Sequence, residues 1–335
     1  MKLGKKNLKH DVYLIAEAGS NHNGNYRTAR RLVVEAARAG AAAVKFQLFT
    51  LETLIAPEAF EKALGIKDPS WRQGFRKLEF PLAWLPRLRR VADRAGIDLL
   101  CTPFDLPRLA RYLETDPPAV KIASGDVTFA PLLQAAGRSG LPVILSTGAA
   151  TEDEITAALA LTGGKRTVLL DCVMAYPAQA AAYGLSRMEK LGKKFATPVG
   201  ISDHTRSDAL ASILVQRGAC VVEKHFTLDR RQAGADHAMS MEPEGLRLLA
   251  LALQEALALR MPPRGRRGDE RERVFARRAI YARTDIAPGE LFTADNCIAL
   301  RPAAGGLAAW EWDRILGTKS ENPIPAGAPI PVPKP

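Results

Sequence analysis

AVKIASGDVTFAPLLQAAGRSGLPVILSTG, residues 119–148, is the stretch whose reading decides the fold. It begins and ends in short apolar runs, AVKIASG (119–125) and PVILSTG (142–148), each closing in a polar, Gly-containing turn. Between them Pro131 to Gly140 has helical patterning and a glycine stop. Continuous Val/Ile/Leu runs without polar alternation mean strands buried on both faces, the condition of a parallel sheet. A helix is the usual connection between parallel neighbours.

Working outward, the same unit recurs. Upstream lie YLIAEAG (13–19), AVKFQLF (43–49) and DLLCTPF (98–104); downstream lie TVLLDCV (167–173), PVGISDH (198–204) and CVVEKHF (220–226). Helical patterns separate the runs. Ala29, Val33, Ala36 and Ala37 form an apolar stripe stopped by Gly40, and Pro81 to Gly96 ends the same way. Thr151 with Glu154 reads as a capping box for a helix reaching Thr162, and another stripe runs from Glu244 to Leu259. Eight strand–helix units in roughly 250 residues predict a TIM (β/α)8 barrel of the α/β class. An open doubly wound sheet is the alternative that periodicity leaves standing. No GxGxxG follows the first strand, which argues against its dinucleotide-binding form. The barrel is expected over 1–260, a Pro/Gly/Arg-rich linker over 261–272, and a compact small domain with short strands (AIYARTDI, CIAL) over 273–335. So small a domain needs something to dock on.

The chain has 335 residues, 47% hydrophobic and 25% charged, with no apolar run of the roughly 18–20 residues a membrane span requires. The short N-terminal apolar stretch is broken by Glu17 and lacks a cleavage pattern, so no signal peptide is read and the expected location is the cytoplasm. Cys101, Cys172, Cys220 and Cys297 show no CxxC spacing; the first three fall in strands and read as reduced core residues. A net charge of +11 invites a nucleic-acid partner. The basic segments carry no interleaved aromatic residues and no nucleic-acid motif, so they read as a surface that draws anionic substrates towards a cleft.

Every strand run ends in polar residues, and in a barrel these ends meet at one face, where active sites lie. They offer Glu17, Lys45, Gln47, Thr102, Lys121, Ser124, Ser146, Thr147, Tyr176, Ser202, Asp203, His204, Glu223, Lys224 and His225. A lysine within an apolar strand is costly to bury unless it meets an anion. Lys45 and Lys121, with the Ser124, Ser146 and Ser202 hydroxyls, suit a ligand bearing a phosphate and a carboxylate; the alternative is two structural ion pairs with Glu17 and Glu223. His204 and His225 come from adjacent strands and can reach one ion. Two imidazoles near carboxylates, with no thiolate, suit an octahedral Mn²⁺ or Mg²⁺ site with open positions. Asp236, on the loop after the eighth strand, can add a carboxylate to the same mouth, whereas His22 reads as a loop-structuring residue.

These stretches together resemble the sialic acid synthase family: IAEAGSNHNG, VKFQ, CTPF, KIASGD, STG, the YP of AYP, GISDHT, EKHFT and GADHAMS, spread over almost the whole barrel. RRAIYARTDIAPGELFTADNCIALRP resembles the antifreeze-like (SAF) domain that follows the barrel in those enzymes. The resemblance implies condensation of phosphoenolpyruvate with the open-chain aldehyde of N-acetylmannosamine or a related amino sugar, giving a nine-carbon nonulosonic acid and phosphate. It implies that Lys45, Thr102, Lys121, Ser124, Ser146 and Ser202 bind phosphoenolpyruvate. His204 and His225 would hold the metal, Mn²⁺ before Mg²⁺, and Glu17 would manage a proton or orient the attacking water. Gln47, Tyr176 and Asp236 are implied as sugar contacts, with Phe104 and Asp126 of the matching CTPF and KIASGD motifs also at the substrate. Glu17, Lys45, Lys121, His225 and Asp236 are the residues implied in catalysis. Arg301 is implied to enter a partner subunit's barrel from a domain-swapped SAF domain, making a homodimer without nucleic-acid or membrane partners.

Two departures from the family pattern stand out. Met174 replaces an asparagine two residues before the Tyr-Pro, removing one phosphate-site hydrogen bond, and the loop Leu51–Leu78 lacks an asparagine-containing segment that touches the sugar. Two readings therefore stand beside the first. One is a synthase using a phosphorylated or 2,4-diamino sugar, the phosphorylated form of which extra basic residues at the mouth would favour. The other is a non-catalytic sugar- or anion-binding homologue, supported only by Met174.

Overall fold

The computed structural model describes residues 1–207, 209–260 and 270–332. The chain divides into two compact units, Met1–Met261 and Pro262–Pro335. In the first, each of the eight apolar runs forms a strand: β1 (Tyr13–Gly19), β2 (Ala43–Leu48), β3 (Asp98–Pro103), β4 (Val120–Ile122), β5 (Val143–Ser146), β6 (Thr167–Cys172), β7 (Val199–Asp203) and β8 (Val221–His225). They join in the order β3-β2-β1-β8-β7-β6-β5-β4, every pairing parallel. β3 and β4 lie side by side and complete the ring. The buried Tyr112 hydroxyl sits at that seam, 2.9 Å from the Ala119 carbonyl and 3.3 Å from the Leu99 carbonyl. The sequence expectation of a TIM barrel holds.

One helix follows each strand: α1 (Tyr26–Arg38), α2 (Leu85–Ala95), α3 (Leu106–Leu113), α4 (Ala130–Arg138), α5 (Glu152–Thr162), α6 (Leu185–Phe195), α7 (Ala209–Gln216) and α8 (Pro243–Leu259). Local chemistry starts and stops them. The Asn25 side chain accepts from the Arg27 and Thr28 amides at the start of α1, Thr151 and Glu154 form the expected capping box on α5, and Gly96 takes the left-handed conformation after α2. Ala29, Leu32, Val33 and Ala36 of α1 are buried against the barrel. The loop after β2 holds three further short helices, Leu51–Leu54, Pro57–Leu64 and Trp71–Arg76.

Strand alternation divides the barrel into layers. Towards the N-terminal ends the inward residues are apolar: Tyr13, Ile15, Ala43, Leu100, Ile144, Val168, Leu170 and Val221 cluster with Leu3 and Leu8, which plug the bottom from a small hairpin (Lys2–Leu3 with Lys6–Asn7). Each such side chain contributes about 1.5–3 kcal/mol on burial. β7 places Gly200 inward because no Cβ fits; it would lie 2.2 Å from the Val221 carbonyl and 2.8 Å from Leu170 Cδ2. Towards the C-terminal ends the inward residues turn polar, and there the site begins.

The second unit contains a short antiparallel pair, Ala279–Ala282 with Cys297–Leu300, over a core of Ile280, Ile286, Phe292, Leu307, Ile315, Ile324 and Ile330. The linker expected over 261–272 lies outside the described residues as far as 269. Its last three residues instead begin a helix, Glu270–Ala276, which starts with Glu270 and Glu272 in the first turn. Among the described residues no helix is long and apolar enough to cross a membrane.

Candidate active site

At the C-terminal end of the barrel lies a cavity of about 430 Å³ lined by residues from β1 to β8. Its floor is a buried quartet of two lysines and two glutamates. Lys45 Nζ is 3.2 Å from Glu17 Oε2 and 2.9 Å from Glu223 Oε2, and Lys121 Nζ is 4.0 Å from Glu223 Oε1. Lys121 donates to Ser146 Oγ at 2.7 Å, Lys45 to Thr102 Oγ1 at 3.3 Å, and Ser202 Oγ to Glu223 Oε1 at 2.9 Å. Register makes the quartet: Glu17 and Lys45 are paired positions on β1 and β2, as are Ser202 and Glu223 on β7 and β8. The ion pairs of the structural alternative are therefore present, in the same cavity as the hydroxyl donors of the ligand-binding reading.

The quartet does not titrate evenly. Burial pushes the Glu17 carboxyl up to about 7, against the attraction of Lys45. Burial also raises Glu223, but Lys121 and Lys45 outweigh it and hold that carboxyl at about 2. Burial draws Lys121 down to about 8. At neutral pH Glu17 thus stands between charged and neutral, and each proton it takes up leaves the cradle with one net positive charge.

Glu17 is fixed from the side. Gln47 Nε2 donates to Glu17 Oε1 at 2.8 Å. Asp236 Oδ2, Glu17 Oε1 and Gln47 Nε2 converge over Gly19, whose φ is +49°; a Cβ there would lie within 3.3, 3.3 and 3.5 Å of the three atoms. Asp236 thus stands at the edge of the cavity, and burial raises its carboxyl.

Two imidazoles occupy the next layer. His204 and His225 have ring centroids 5.4 Å apart, and Tyr176 stacks on His204 at 4.3 Å. His204 Nδ1 lies 2.7 Å from the Val173 carbonyl, which fixes the proton on that nitrogen. Its Nε2 is 3.1 Å from Ser202 Oγ, but that hydroxyl's only proton goes to Glu223, so the Nε2 lone pair is left open. His225 Nδ1 is buried without a hydrogen-bond partner, 3.8 Å from Asp236 Oδ2. Burial, with His204 adding to it, depresses His225 to about 3, and burial also lowers His204. Both rings are neutral at physiological pH, the form that binds metal. Among the described residues no three His, Cys, Asp or Glu side chains converge to hold an ion by themselves. The donor set of the two imidazoles, with the buried His225 Nδ1 unpartnered, would fit a metal only as two ligands of a larger shell.

The remaining expected residues divide clearly. Phe104, Ser124 and Asp126 line the cavity, and burial raises Asp126 to about 6. Ser124 Oγ also accepts from the Ala149 amide at 2.6 Å, tying the turn after β4 to that after β5. Thr147 points away and donates to the Leu170 carbonyl. Asp203 and Lys224 also leave the site: they pair at 2.8 Å, and Lys224 further donates to the Thr205 and Ser207 carbonyls, bracing the loop after β7. Alternation requires this, since Ser202, His204, Glu223 and His225 face inward. Cys172, expected in the core, lines the cavity. His22 structures its loop, with Nδ1 accepting from the Gly24 amide among Phe46, Phe80 and Trp84. Arg301 belongs to the second unit. Leu54 is a lining residue that sequence reasoning did not single out; no periodic signal marks it. A second cavity, of about 460 Å³, lies wholly in the small unit and holds none of the expected site residues.

Comparison with known proteins concerns the chain as a whole. Residues 32–260 match the model of the NeuB family. The chain belongs to the NeuB family. Residues 277–332 of this NeuB-family chain match the SAF domain. The N,N'-diacetyllegionaminic acid synthase of Campylobacter jejuni is 36% identical over 316 residues, 91% of this chain and 94% of that one. The pseudaminic acid synthase of Helicobacter pylori is 30% identical, over 95% and 96% of the two chains. In structure, the chain is similar to the N-acetylneuraminic acid synthetase of Leptospira borgpetersenii, solved with citrate. The TM-score is 0.71 at 32% identity, over 81% of this chain and 93% of that one.

Proposed function

We propose that this NeuB-family chain is a nonulosonic acid synthase, condensing phosphoenolpyruvate with the open-chain aldehyde of N-acetylmannosamine or a related acylated amino sugar. The observation that carries the reading is the cavity floor. Two buried lysines and the Thr102, Ser124, Ser146 and Ser202 hydroxyls surround one space beside two neutral imidazoles. Lys45, Lys121 and the hydroxyls bind the phosphate and carboxylate and hold the enol carbon towards the sugar. C3 of the enol forms the new bond to the aldehyde carbon, water adds at C2, and the C2–O bond to phosphate breaks to release inorganic phosphate. Glu17, near half-protonation at neutral pH, holds or passes the proton exchanged with that water. Gln47 orients Glu17 and, with Asp236 and Tyr176, faces the sugar. A divalent metal, Mn²⁺ or Mg²⁺, held by His204 and His225 would supply Lewis-acid polarisation of the aldehyde oxygen. We further infer a cytoplasmic homodimer in which Arg301 of a swapped SAF domain completes the sugar site.

A diacylamino sugar is the second reading for the acceptor. It is supported by the 36% identity to an enzyme whose named product carries two acetyl groups on nitrogen. A phosphorylated acceptor is less well served: the only Lys or Arg side chains lining the cavity among the described residues are Lys45 and Lys121, both already assigned to phosphoenolpyruvate. The test is phosphate release from phosphoenolpyruvate with Mn²⁺ and a panel of mono- and diacylamino sugars, free and phosphorylated. Tight phosphoenolpyruvate binding without release on any sugar would leave a binding homologue instead of an enzyme. His225→Ala, or chelation of the wild type, is expected to abolish release; activity surviving both would remove the metal role.

A further inference from the structure

The loop after β2 has little of its own to hold it in place. Helices Pro57–Leu64 and Trp71–Arg76 bury no residue. Their ion pairs do not reach the barrel core: Arg76 with Glu52 is exposed and screened by solvent, while half-buried Arg72 pairs with Glu61, which also accepts from Trp71 Nε1 at 3.0 Å, and so ties the two helices to each other. What links them to the barrel is a run of aromatic rings. Phe60 meets Trp71 at 5.1 Å between centroids, Trp71 meets Phe75 at 6.2 Å, Phe75 meets Phe49 at 5.0 Å and Phe49 meets Phe104 at 6.0 Å. Phe49 is buried just beyond β2, and Phe104, just beyond β3, lines the cavity. Leu54, from the first helix of the same loop, lines it too. A parallel polar tie, Thr53 Oγ1 to Asp105 Oδ2 at 2.7 Å, fixes the residue next to Phe104.

We propose that this ladder is a positioning device, with Trp71 as its outer keystone, that holds Phe104 and Leu54 as the apolar wall of the acceptor side of the cavity. Naming that side rests on the synthase reading; the mechanical link does not. The ladder works because offset and edge-to-face rings resist sliding and a wall residue tied at one end cannot turn away.

The test pairs kinetics with exchange in full-length protein. Trp71→Ala is expected to raise the amino-sugar KM roughly tenfold, the scale of a small misplacement at a distance, with kcat and the phosphoenolpyruvate KM held within about twofold. Trp71→Phe keeps a ring in the ladder but loses the indole N–H bond to Glu61, so it should return most of the way to the wild-type value. Independently of turnover, Trp71→Ala should quicken hydrogen exchange of the Phe104 amide, which donates to the Leu48 carbonyl at 3.0 Å, by roughly fivefold or more, and Trp71→Phe should not. Exchange that rises only within 57–76, or an acceptor KM that does not move in an active Trp71→Ala enzyme, would overturn the proposal. Absence of turnover in the wild type would remove the synthase reading, and the exchange experiment would still decide the ladder.

Discussion

Glu223→Gln should make the protein fragile when empty and unusually responsive to phosphoenolpyruvate. Glu223 reaches Lys45 at 2.9 Å and Lys121 at 4.0 Å and accepts from Ser202. At an effective dielectric of about 20 the two attractions total on the order of 10 kcal/mol. Desolvation of the three groups cancels most of this, and breaking a buried pair of this kind costs about 3–5 kcal/mol. Lys121, already drawn down to about 8 by burial, can shed its proton once its partner is gone, which places the cost at the lower end. At about 2–4 °C per kcal/mol the melting temperature should fall by on the order of 10 °C. An anion entering the variant cradle reprotonates Lys121 and displaces one carboxylate fewer, so phosphoenolpyruvate should restore more stability than it adds to the wild type. Ligand at about a hundredfold excess over Kd contributes about 2.7 kcal/mol, and a tighter Kd adds to it. The assay is thermal unfolding of both proteins with and without millimolar phosphoenolpyruvate. An unchanged melting temperature without ligand would refute the energetic role of the quartet, and a variant that phosphoenolpyruvate fails to stabilise would refute the cradle.

The other predictions concern titration and the substrate contacts. Burial holds His22 at about 4, below its ordinary 6.5, so its contribution to stability is complete above pH 6.5 and is lost as pH falls towards 4. His22→Phe should flatten the fall in melting temperature across that window, at some loss near pH 7 because the Gly24 amide loses its acceptor; an unaltered slope would show that other groups carry it. Met174→Asn should lower the phosphoenolpyruvate KM by about threefold, the worth of a modest hydrogen bond, and no change would mean that Met174 does not face the phosphate. Arg301→Ala should raise the amino-sugar KM and spare that of phosphoenolpyruvate; an unchanged sugar KM would count against a swapped SAF domain.

Much of the barrel was legible because both-face burial and period-2 alternation are properties of the chain itself. Each run marked a strand, and the parity that puts Lys45 and Gln47 on one face also puts Asp203 and Lys224 on the other. Asp203 and Lys224 stand at strand ends yet on the outward face, where they pair with each other. β4 is shorter than its run because Ser124–Asp126 turns into a 3-10 helix, a change that apolar content does not signal. Contacts set by tertiary distance left no trace in any pattern. Leu54 reaches the cavity from a loop without periodicity, and the Phe49–Phe104 contact joins the ends of two strands. Asp171, buried within an apolar run and raised to about 6 by burial, meets Arg187 of α6 at 3.1 Å. No spacing rule pairs those two residues.

The quartet also shows why the structural and ligand-binding readings could not be separated by residue type, and what separates them physically. Both require lysines near glutamates, and the ion pairs are there. A buried ion pair is a poor way to stabilise a barrel, however, because apolar residues of the same volume would do as well or better. One layer down, the same strands solve that problem with Ile15, Leu100, Ile144, Val168 and Leu170. Among the inward residues, charges appear only where the strands reach the cavity, and there a single ammonium, Lys45, is shared between Glu17 Oε2 at 3.2 Å and Glu223 Oε2 at 2.9 Å. An arrangement that keeps two lysines charged, one carboxyl near 7 and two imidazole lone pairs open is better explained as a site holding its own counter-charges until an anion replaces them.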